Sequence, residues 1–338
     1  MPFFSFRNRN FLRRIGLWLL ILCLILVLAA VGVFIYLQRF LVYGKDGVYL
    51  DFSRPPISEP VQGDPEPELS FPNTEIVEVD PEELTPTVST TVLSGYVVPH
   101  SVLQQPQAFL DACLAMEEPC TLLFDIKDGV GNFFYASSVA DQGEDSRDLL
   151  SAVLQQLQEE GFHLVARVSA LRDRSFGLNN PRYGLPLSSG ALWMDAGGCY
   201  WLDPAKDTVQ VRLIRICSEL FELGFSEVVL SNFYFPESKQ IVYKSEEEPQ
   251  VILSTTFQRI QAALEGKGLV SIQLQEEQEP LDPGTGRLYY STQEVLVAQN
   301  LHAATQEWLE DPASQLVFLT DSRDTRFEGY GLLRSWDE

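Results

Sequence analysis

The sequence predicts an α/β chain whose main domain, residues 92–338, is a barrel of the (β/α)8 type. Apolar strand segments alternate with amphipathic helix segments from residue 94 onward, which is typical of a parallel sheet covered by helices. The length of this region is close to the roughly 250 residues that such a barrel needs. An open doubly wound sheet is the runner-up. Its glycine fingerprint is missing, because residues 128–131 and 282–286 lack the third glycine and a following helix and are predicted to be turns.

The elements follow one another in the order that a barrel requires. Strands are predicted at residues 94–99, 121–127, 162–170, 226–231, 269–274 and 315–320. Helices are predicted at residues 106–116, 145–160, 208–223, 250–265 and 292–309, the last with a capping box of Ser291 and Glu294. Only six strand units are visible, so we expect a barrel that is incomplete or irregular at its C-terminal end. Its exposed strand edge would be covered by the C-terminal tail or by a partner chain.

The N-terminus has the composition of a membrane anchor. Arginines 7, 9, 13 and 14 precede residues 15–38, which carry no charge and are mostly apolar. About 20 apolar residues span a bilayer as a helix, whereas a cleaved signal peptide has a shorter apolar core. We therefore predict one uncleaved transmembrane helix at residues 15–38, with residues 1–14 in the cytoplasm and the rest of the chain outside.

Residues 39–91 connect this anchor to the barrel. A short hairpin is predicted around Asp46 and Gly47. The remainder is rich in proline and acidic residues and has too little apolar content to form a core. This composition predicts an extended acidic stalk.

The charge balance restricts the partners. The chain has 24 basic and 47 acidic residues; six of the basic ones and none of the acidic ones precede Asp46. The remainder is therefore strongly acidic, which argues against nucleic acid and anionic lipid headgroups as partners and favours neutral or basic ligands.

Cysteine and histidine spacings indicate neither a metal site nor a cofactor. Beyond the predicted span, Cys113, Cys120, Cys199 and Cys217 fit no zinc pattern, and the three histidines are scattered. Two disulfides could form among these cysteines in an oxidising compartment. Cys113 and Cys217 lie on apolar helix faces, where a buried free thiol is the simpler interpretation.

Polar residues gather where the predicted strands end, which in such barrels is the functional face. The second strand ends on Asp125, Lys127 and Asp128, and the third carries Arg167 with Asp173 just beyond it. The long loop that follows contains Trp193, Trp201 and Asp203, and aromatic rings beside carboxylates are suited to sugar binding. The alternative is structural: Asp125 and Arg167 form a buried ion pair, and the tryptophans cap the barrel.

Four ordered segments resemble one family. These are "LLFDIKDGVGNFFYAS", "GFHLVARVSALRD", "WLDP" and "ELGFSEVVLSNFYFP", and they are similar to DUF4015, a group of glycoside-hydrolase-type TIM barrels. "GYVVP" fits the first strand of that group. The resemblance covers residues 95–236 and weakens after them. It implies a bacterial protein, since an N-terminal anchor and a Pro-rich stalk are usual in bacterial members.

The resemblance also implies roles for single residues. It makes Asp125, Asp128 and Asp173 the catalytic candidates. Ligand contacts are expected from Lys127, Arg167, Trp193, Trp201, Asp203 and Tyr234. The fourth strand departs from the family pattern, because the family's aspartate is Ser231 here and its arginine is Tyr234.

Three functions remain open, in this order. The first is a catalytically degenerate barrel, anchored outside a bacterial cell, that binds a glycan or a cell-wall component. The second is an active glycoside hydrolase that uses two carboxyls among Asp125, Asp128, Asp173 and Asp203. The third is a structural envelope protein without a ligand.

Overall fold

The computed structural model describes residues 41–44, 47–50, 91–141, 144–276 and 278–336, the first two segments by their backbone. The predicted cytoplasmic segment, the predicted membrane span and most of the predicted stalk lie outside these residues. Within the described residues no helix is long and apolar enough to cross a membrane. The strands Leu41–Gly44 and Gly47–Leu50 pair antiparallel, which confirms the expected hairpin. This hairpin belongs to one compact unit, Met1–Val79, and the barrel belongs to another, Asp80–Glu338.

Eight parallel strands form a closed barrel, which confirms the (β/α)8 prediction. Each strand pairs with the next along the chain, and the eighth pairs with the first through Leu332 and Ser94. The strands are β1 Ser94–Val98, β2 Thr121–Lys127, β3 His163–Ser169, β4 Glu227–Ser231, β5 Leu269–Leu274, β6 Leu288–Ser291, β7 Leu316–Leu319 and β8 Gly331–Ser335. The expected neighbours β2, β3 and β4 lie side by side and run in the same direction.

The expected open strand edge is wrong. The two strands missing from the sequence prediction are β6 and β8, which have four and five residues. Neither contains a long apolar run. Their pairing depends on hydrogen bonds to neighbours that are distant in sequence, and such bonds leave no local pattern. The C-terminal tail, expected to cover an edge, instead supplies the strand that closes the barrel.

The irregularity lies in the outer layer instead. The helices are α1 Pro106–Leu114, α2 Ser151–Glu159, α3 Arg174–Asn179, α4 Asp207–Glu222, α5 Pro249–Ala263, α6 Val295–Thr305 and α7 Pro312–Gln315. The described residues between β5 and β6 contain no helix, and those between β7 and β8 contain only the 3-10 helix Thr325–Gly329. The predicted capping box is wrong: Ser291 ends β6, and Glu294 is the N-cap of α6 without a side-chain hydrogen bond.

A buried ion pair lies in the barrel interior at the N-terminal end of the strands. Glu227 is fully buried, and its carboxylate accepts hydrogen bonds from Arg287 at 2.5 Å and Ser271 at 2.5 Å. Burial opposes the charge on Glu227, but His163, Arg287 and Ser271 together hold the pKa of its carboxyl below its usual range. Arg287 also donates to the carbonyl of Thr91, where the chain enters the barrel. This end of a (β/α)8 barrel serves stability, and catalytic groups belong at the opposite end.

Candidate functional site at the barrel mouth

An ion pair between Asp125 and Arg167 lies at the C-terminal mouth of the barrel. The two residues are register partners on β2 and β3, and alternation along each strand puts them on the same side as the interior residues Leu123 and Val165. The Arg167 Nε and Nη2 atoms donate to the two carboxylate oxygens of Asp125 at 2.6 and 3.0 Å. The Arg167 Nη1 atom donates to Gln273 Oε1 on β5 at 3.2 Å. The sequence offered this pair only as the structural alternative and expected it to be buried; the pair forms, but both side chains are partly exposed.

The pair remains open to solvent and retains hydrogen-bonding capacity. The side chains of Asp125 and Arg167 are 34% and 18% exposed. A guanidinium has five N–H donors, so two remain after these three bonds, and a carboxylate can accept more bonds than the two that Asp125 receives. A neutral patch with donors and acceptors side by side suits a ligand that is rich in hydroxyl groups.

The end of β4 contributes uncharged groups to the mouth. The half-buried Ser231 donates from its Oγ to the carbonyl of Val168 at 3.0 Å. Asn232 follows with φ of 52°, a left-handed conformation that is uncommon for residues other than glycine. Its side chain donates to Ser169 Oγ at 3.0 Å, which holds the turn against β3.

Lys127 and Asp173 form a second ion pair, which is buried. Their side chains are each 1% exposed, and Lys127 Nζ lies 2.7 Å from Asp173 Oδ2. A register irregularity between Asp125 and Lys127 interrupts the alternation of β2, and the Lys127 ammonium lies over the ring of Phe133. Asp173 also accepts from the backbone N–H of Phe176 and so caps α3. The structure leaves neither side chain open to a ligand in the mouth.

Asp128 and Asp203 stabilise loops. Asp128 Oδ1 accepts the backbone N–H groups of residues 130, 131 and 132, each at 2.9 Å, so that it forms the turn after β2. Asp203 is 5% exposed and accepts from the Ala205 N–H at 2.9 Å and from the Tyr243 hydroxyl at 2.8 Å. Burial, together with this bond, raises the pKa of Tyr243. Both carboxylates are occupied by the fold of their own loops.

An aromatic cluster joins the loop after β3, which carries Trp193 and Trp201, to the segment after β4, which carries Tyr234. Trp201 is buried, and the half-buried rings of Trp193 and Tyr234 both pack against it. Trp201 Nε1 donates to Asp195 Oδ2 at 3.0 Å, and Arg172 Nε donates to the same oxygen at 2.6 Å. Although burial opposes it, these donors and the N–H of Cys199 lower the pKa of Asp195 to about 2.

Sequence reasoning missed Arg172, Asp195, Gln273 and Asn232 as members of this site. Arg172 directly precedes the candidate Asp173, and Asp195 lies in a loop without periodicity. No sequence pattern therefore distinguished these two residues from the polar residues around them. Gln273 is one of six consecutive buried residues of β5. Only the barrel register shows that it reaches Arg167.

In the part of the chain that the structure describes, no group of side chains suggests a metal. Among the described residues, no cluster of three or more His, Cys, Asp or Glu side chains could hold an ion. Cys113, Cys120, Cys199 and Cys217 are free thiols, and all but Cys120 are buried. Burial raises the pKa of Cys217 to about 12 and keeps it a neutral core residue.

Comparisons with known proteins support this fold. A family model described as "DUF4015: Putative glycosyl hydrolase domain" matches residues 101–269, half of the chain. No curated protein matches the sequence. The glycoside hydrolase domain of PgaB (BpsB) from Bordetella bronchiseptica is similar over 73% of this chain and 94% of its own, with 12% identity and a TM-score of 0.53.

Two further solved structures are similar to the chain. A GH20 exo β-N-acetylglucosaminidase from Vibrio harveyi has a TM-score of 0.52 at 8% identity; the match covers 72% of this chain and 50% of the enzyme. A hypothetical protein from Ruminiclostridium thermocellum shares 22% identity over 52% of this chain and 96% of its own, with a TM-score of 0.48. At these identities the similarity to PgaB and the Vibrio enzyme concerns the fold alone.

Proposed function

This chain belongs to the DUF4015 family, described as a putative glycosyl hydrolase domain, and from that membership we propose that its barrel binds carbohydrate at the mouth without hydrolysing it. One observation carries the proposal. Asp125 is partly exposed and is paired with Arg167, whereas Asp173 and Asp203 are buried, Asp128 is bonded within its own turn, and β4 ends on the uncharged Ser231.

Glycoside hydrolysis needs a second carboxyl group at a defined place. Two carboxyls flank the bond at about 5–5.5 Å in retaining enzymes and about 6.5–9.5 Å in inverting ones. Asp128, Asp173 and Asp203 are held by backbone N–H groups or buried cations, and a serine hydroxyl does not ionise to stabilise a positively charged sugar. This supports the loss of catalysis as the simplest interpretation of the mouth.

The groups that remain available favour binding. Arg167 and Asp125 offer hydrogen-bond donors and acceptors for sugar hydroxyls, and Trp193 and Tyr234 offer partly exposed rings for the apolar faces of a sugar. Lys127, Trp201 and Asp203 were also predicted to contact the ligand. Because they are buried, we propose that they hold the ligand-binding residues in place and do not contact the ligand themselves.

We also propose that residues 15–38 anchor the protein in a bacterial cell membrane, with residues 1–14 in the cytoplasm and the stalk and barrel outside. The arginine cluster and the uninterrupted apolar run support this topology. Protease treatment of intact cells should remove the barrel from the cell surface. Protection of the barrel in intact cells, with cleavage only after lysis, contradicts the orientation.

The binding proposal is tested with the full-length protein in a detergent that carries no sugar. We expect binding to at least one polysaccharide or cell-wall glycan of a broad panel, with no release of reducing sugar. Asp125→Asn should abolish binding, and Ser231→Asp combined with Tyr234→Arg tests whether the replaced residues alone removed the activity.

The alternative is an active hydrolase in which Asp125 is one of the catalytic pair, since this carboxylate is 34% exposed at the mouth. Robust turnover by the unmodified protein that is lost in Asp125→Asn favours this alternative and contradicts our proposal. Absence of binding to every glycan favours a structural role in the envelope.

A further inference from the structure

We propose that the side chains of Lys127 and Asp173 condense to an isopeptide bond, a covalent amide that cross-links the loops after β2 and β3. The inference does not depend on carbohydrate binding, because the two side chains are each 1% exposed. It assigns to this pair a modification that the folded chain carries out on itself.

The two side chains are close enough to react. Lys127 Nζ lies 2.7 Å from Asp173 Oδ2, so it is at most about 4 Å from the carboxyl carbon, which is one C–O bond further on. Reacting atoms in a productive complex are about 3–3.5 Å apart. Within the described residues Asp173 Oδ2 accepts no hydrogen bond, so its contact with the ammonium lacks the angles of one. The amine is therefore near the carboxyl group without being fixed by a directional bond.

The condensation balances within the pair. The Lys127 ammonium gives one proton to Asp173 Oδ2, and the resulting amine attacks the carboxyl carbon with its lone pair. The carbonyl electrons move to Oδ1, where the backbone N–H of Phe176 donates at 2.9 Å and stabilises the negative charge. The nitrogen then gives a second proton to Oδ2, the C–O bond breaks, and Oδ2 leaves as water. The products are a neutral amide and one water molecule, and nothing is oxidised or reduced.

The product fits the hydrogen bonds that the site already offers. The amide carbonyl, formed by Asp173 Oδ1, keeps the bond from the N–H of Phe176. The amide N–H has an acceptor in the carbonyl oxygen of Ser169, which lies 3.2 Å from Lys127 Nζ. The oxygen that leaves is the one that accepts no hydrogen bond. Two buried ions are thus replaced by one amide whose polar groups both have partners.

The charges that remain stay balanced. The guanidinium of Arg212 lies 2.5 Å from Glu144 and 3.8 Å from Asp173 Oδ2, so its main partner is Glu144. The side chains of Arg212 and Glu144 are 6% and 0% exposed. Condensation removes one positive and one negative charge together and leaves this second pair complete. No buried charge loses its partner, which would otherwise be strongly destabilising.

Folding precedes the reaction. Lys127 ends β2 and Asp173 follows β3, and the pairing of these two strands brings the side chains together. Protein that has not yet reacted therefore keeps the ion pair. The burial that brings amine and acid together also excludes the water that would hydrolyse the amide.

The test is the mass of the denatured full-length protein, followed by proteolytic mapping. We expect the intact mass to fall below that of the sequence by one water molecule, in a fraction that rises with incubation of the folded protein. A digest should contain one branched peptide that joins the segment with Lys127 to the segment with Asp173. This peptide, found in the unmodified protein, decides the question without any variant.

Two variants control for the loss of water elsewhere. Lys127→Arg keeps the positive charge but removes the amine, and it should retain the full mass of its sequence. Lys206→Arg is the matched control: Lys206 pairs with Asp203 at 3.7 Å but is 49% exposed, so this variant should lose water as the unmodified protein does. Separate linear peptides with Lys127 and Asp173, and no branched peptide after prolonged incubation, overturn the inference. A loss of water that persists in Lys127→Arg overturns it as well.

Discussion

Replacing Asp173 by Asn should destabilise the barrel by about 3–5 kcal/mol, the usual cost of removing one partner from a buried ion pair. Its carboxylate lies 2.7 Å from Lys127 Nζ, and both side chains are 1% exposed. The guanidinium of Arg212 is also near, at 3.8 Å. The variant leaves the Lys127 ammonium without its anion in a site that water does not reach, whereas Arg212 keeps its pair with Glu144. Asn remains a good helix N-cap, so the bond to Phe176 is not the cause of the loss.

The assay is thermal and urea unfolding of the full-length protein followed by circular dichroism. At roughly 2–4 °C per kcal/mol for a domain of this size, the midpoint should fall by about 6–20 °C. Adding Lys127→Met should recover much of this loss, because the double variant has no unpaired ammonium at that position. Asp207→Asn is the matched control: its pair with Arg259 is about half exposed, and breaking it should cost less than about 1 kcal/mol.

This reasoning treats Asp173 as a structural residue, although its motif made it a catalytic candidate. It is refuted if Asp173→Asn unfolds like the unmodified protein but no longer binds the glycan. It is also refuted if the double variant is no more stable than the single one.

Three further predictions concern other parts of the barrel. The fold lowers the pKa of the Glu227 carboxyl, so the ionised side chain stabilises the barrel fully above the ordinary carboxyl pKa, and this stabilisation is lost as the pH falls through the lowered pKa. In urea unfolding, Glu227→Gln should therefore lower the free energy of unfolding most at neutral pH and least in acid. A difference between variant and unmodified protein that widens in acid contradicts this prediction. A Cβ atom on Gly95 would lie 1.8 Å from the carbonyl oxygen of Thr121, so Gly95→Ala should lower the midpoint of thermal unfolding. Gly329→Ala is the control, because a Cβ atom there has no neighbour within 4 Å, and its midpoint should not change. Equal midpoints for the two variants refute this prediction. Asp125→Asn should lose glycan binding in titrations with a stability change well below that of Asp173→Asn, because its pair is partly exposed; a comparable loss of stability would make Asp125 structural as well.

Much of the fold was predictable from local pattern. The strand at Thr121–Lys127 was found with both of its ends, and the helices α4 and α5 were found within two residues. These segments carry enough apolar side chains, at the spacing typical of a strand or a helix, to be recognised from the sequence. The strands β6 and β8 could not be recognised in this way, since each is short and is held by parallel neighbours. Parallel pairing depends on hydrogen bonds between distant segments and leaves no turn signal in the sequence.

The candidate site was predictable in the same uneven way. Asp125 near the end of one strand and Arg167 on the next made their pairing one of two alternatives, and the expectation that the pair is buried was wrong. Nothing local distinguishes Asp125 from Asp128 or Asp173, because all three are carboxylates near a strand end. Their burial and hydrogen-bond partners separate them: one is open beside Arg167, one caps a turn, and one neutralises a buried lysine.

By itself, the sequence determined the alternation of strands and helices, the acidity of the chain and the charged ends of β2 and β3, since these depend on side chains close together along the chain. Only the tertiary structure decided that the barrel closes, that Lys127 is directed towards Asp173, and that Arg172 and Asp195 hold Trp201. These contacts join residues that are separated along the chain, and burial determines which of several similar charges must be neutralised and which can face solvent. The chemical role of a carboxylate here is therefore set by what surrounds it in space.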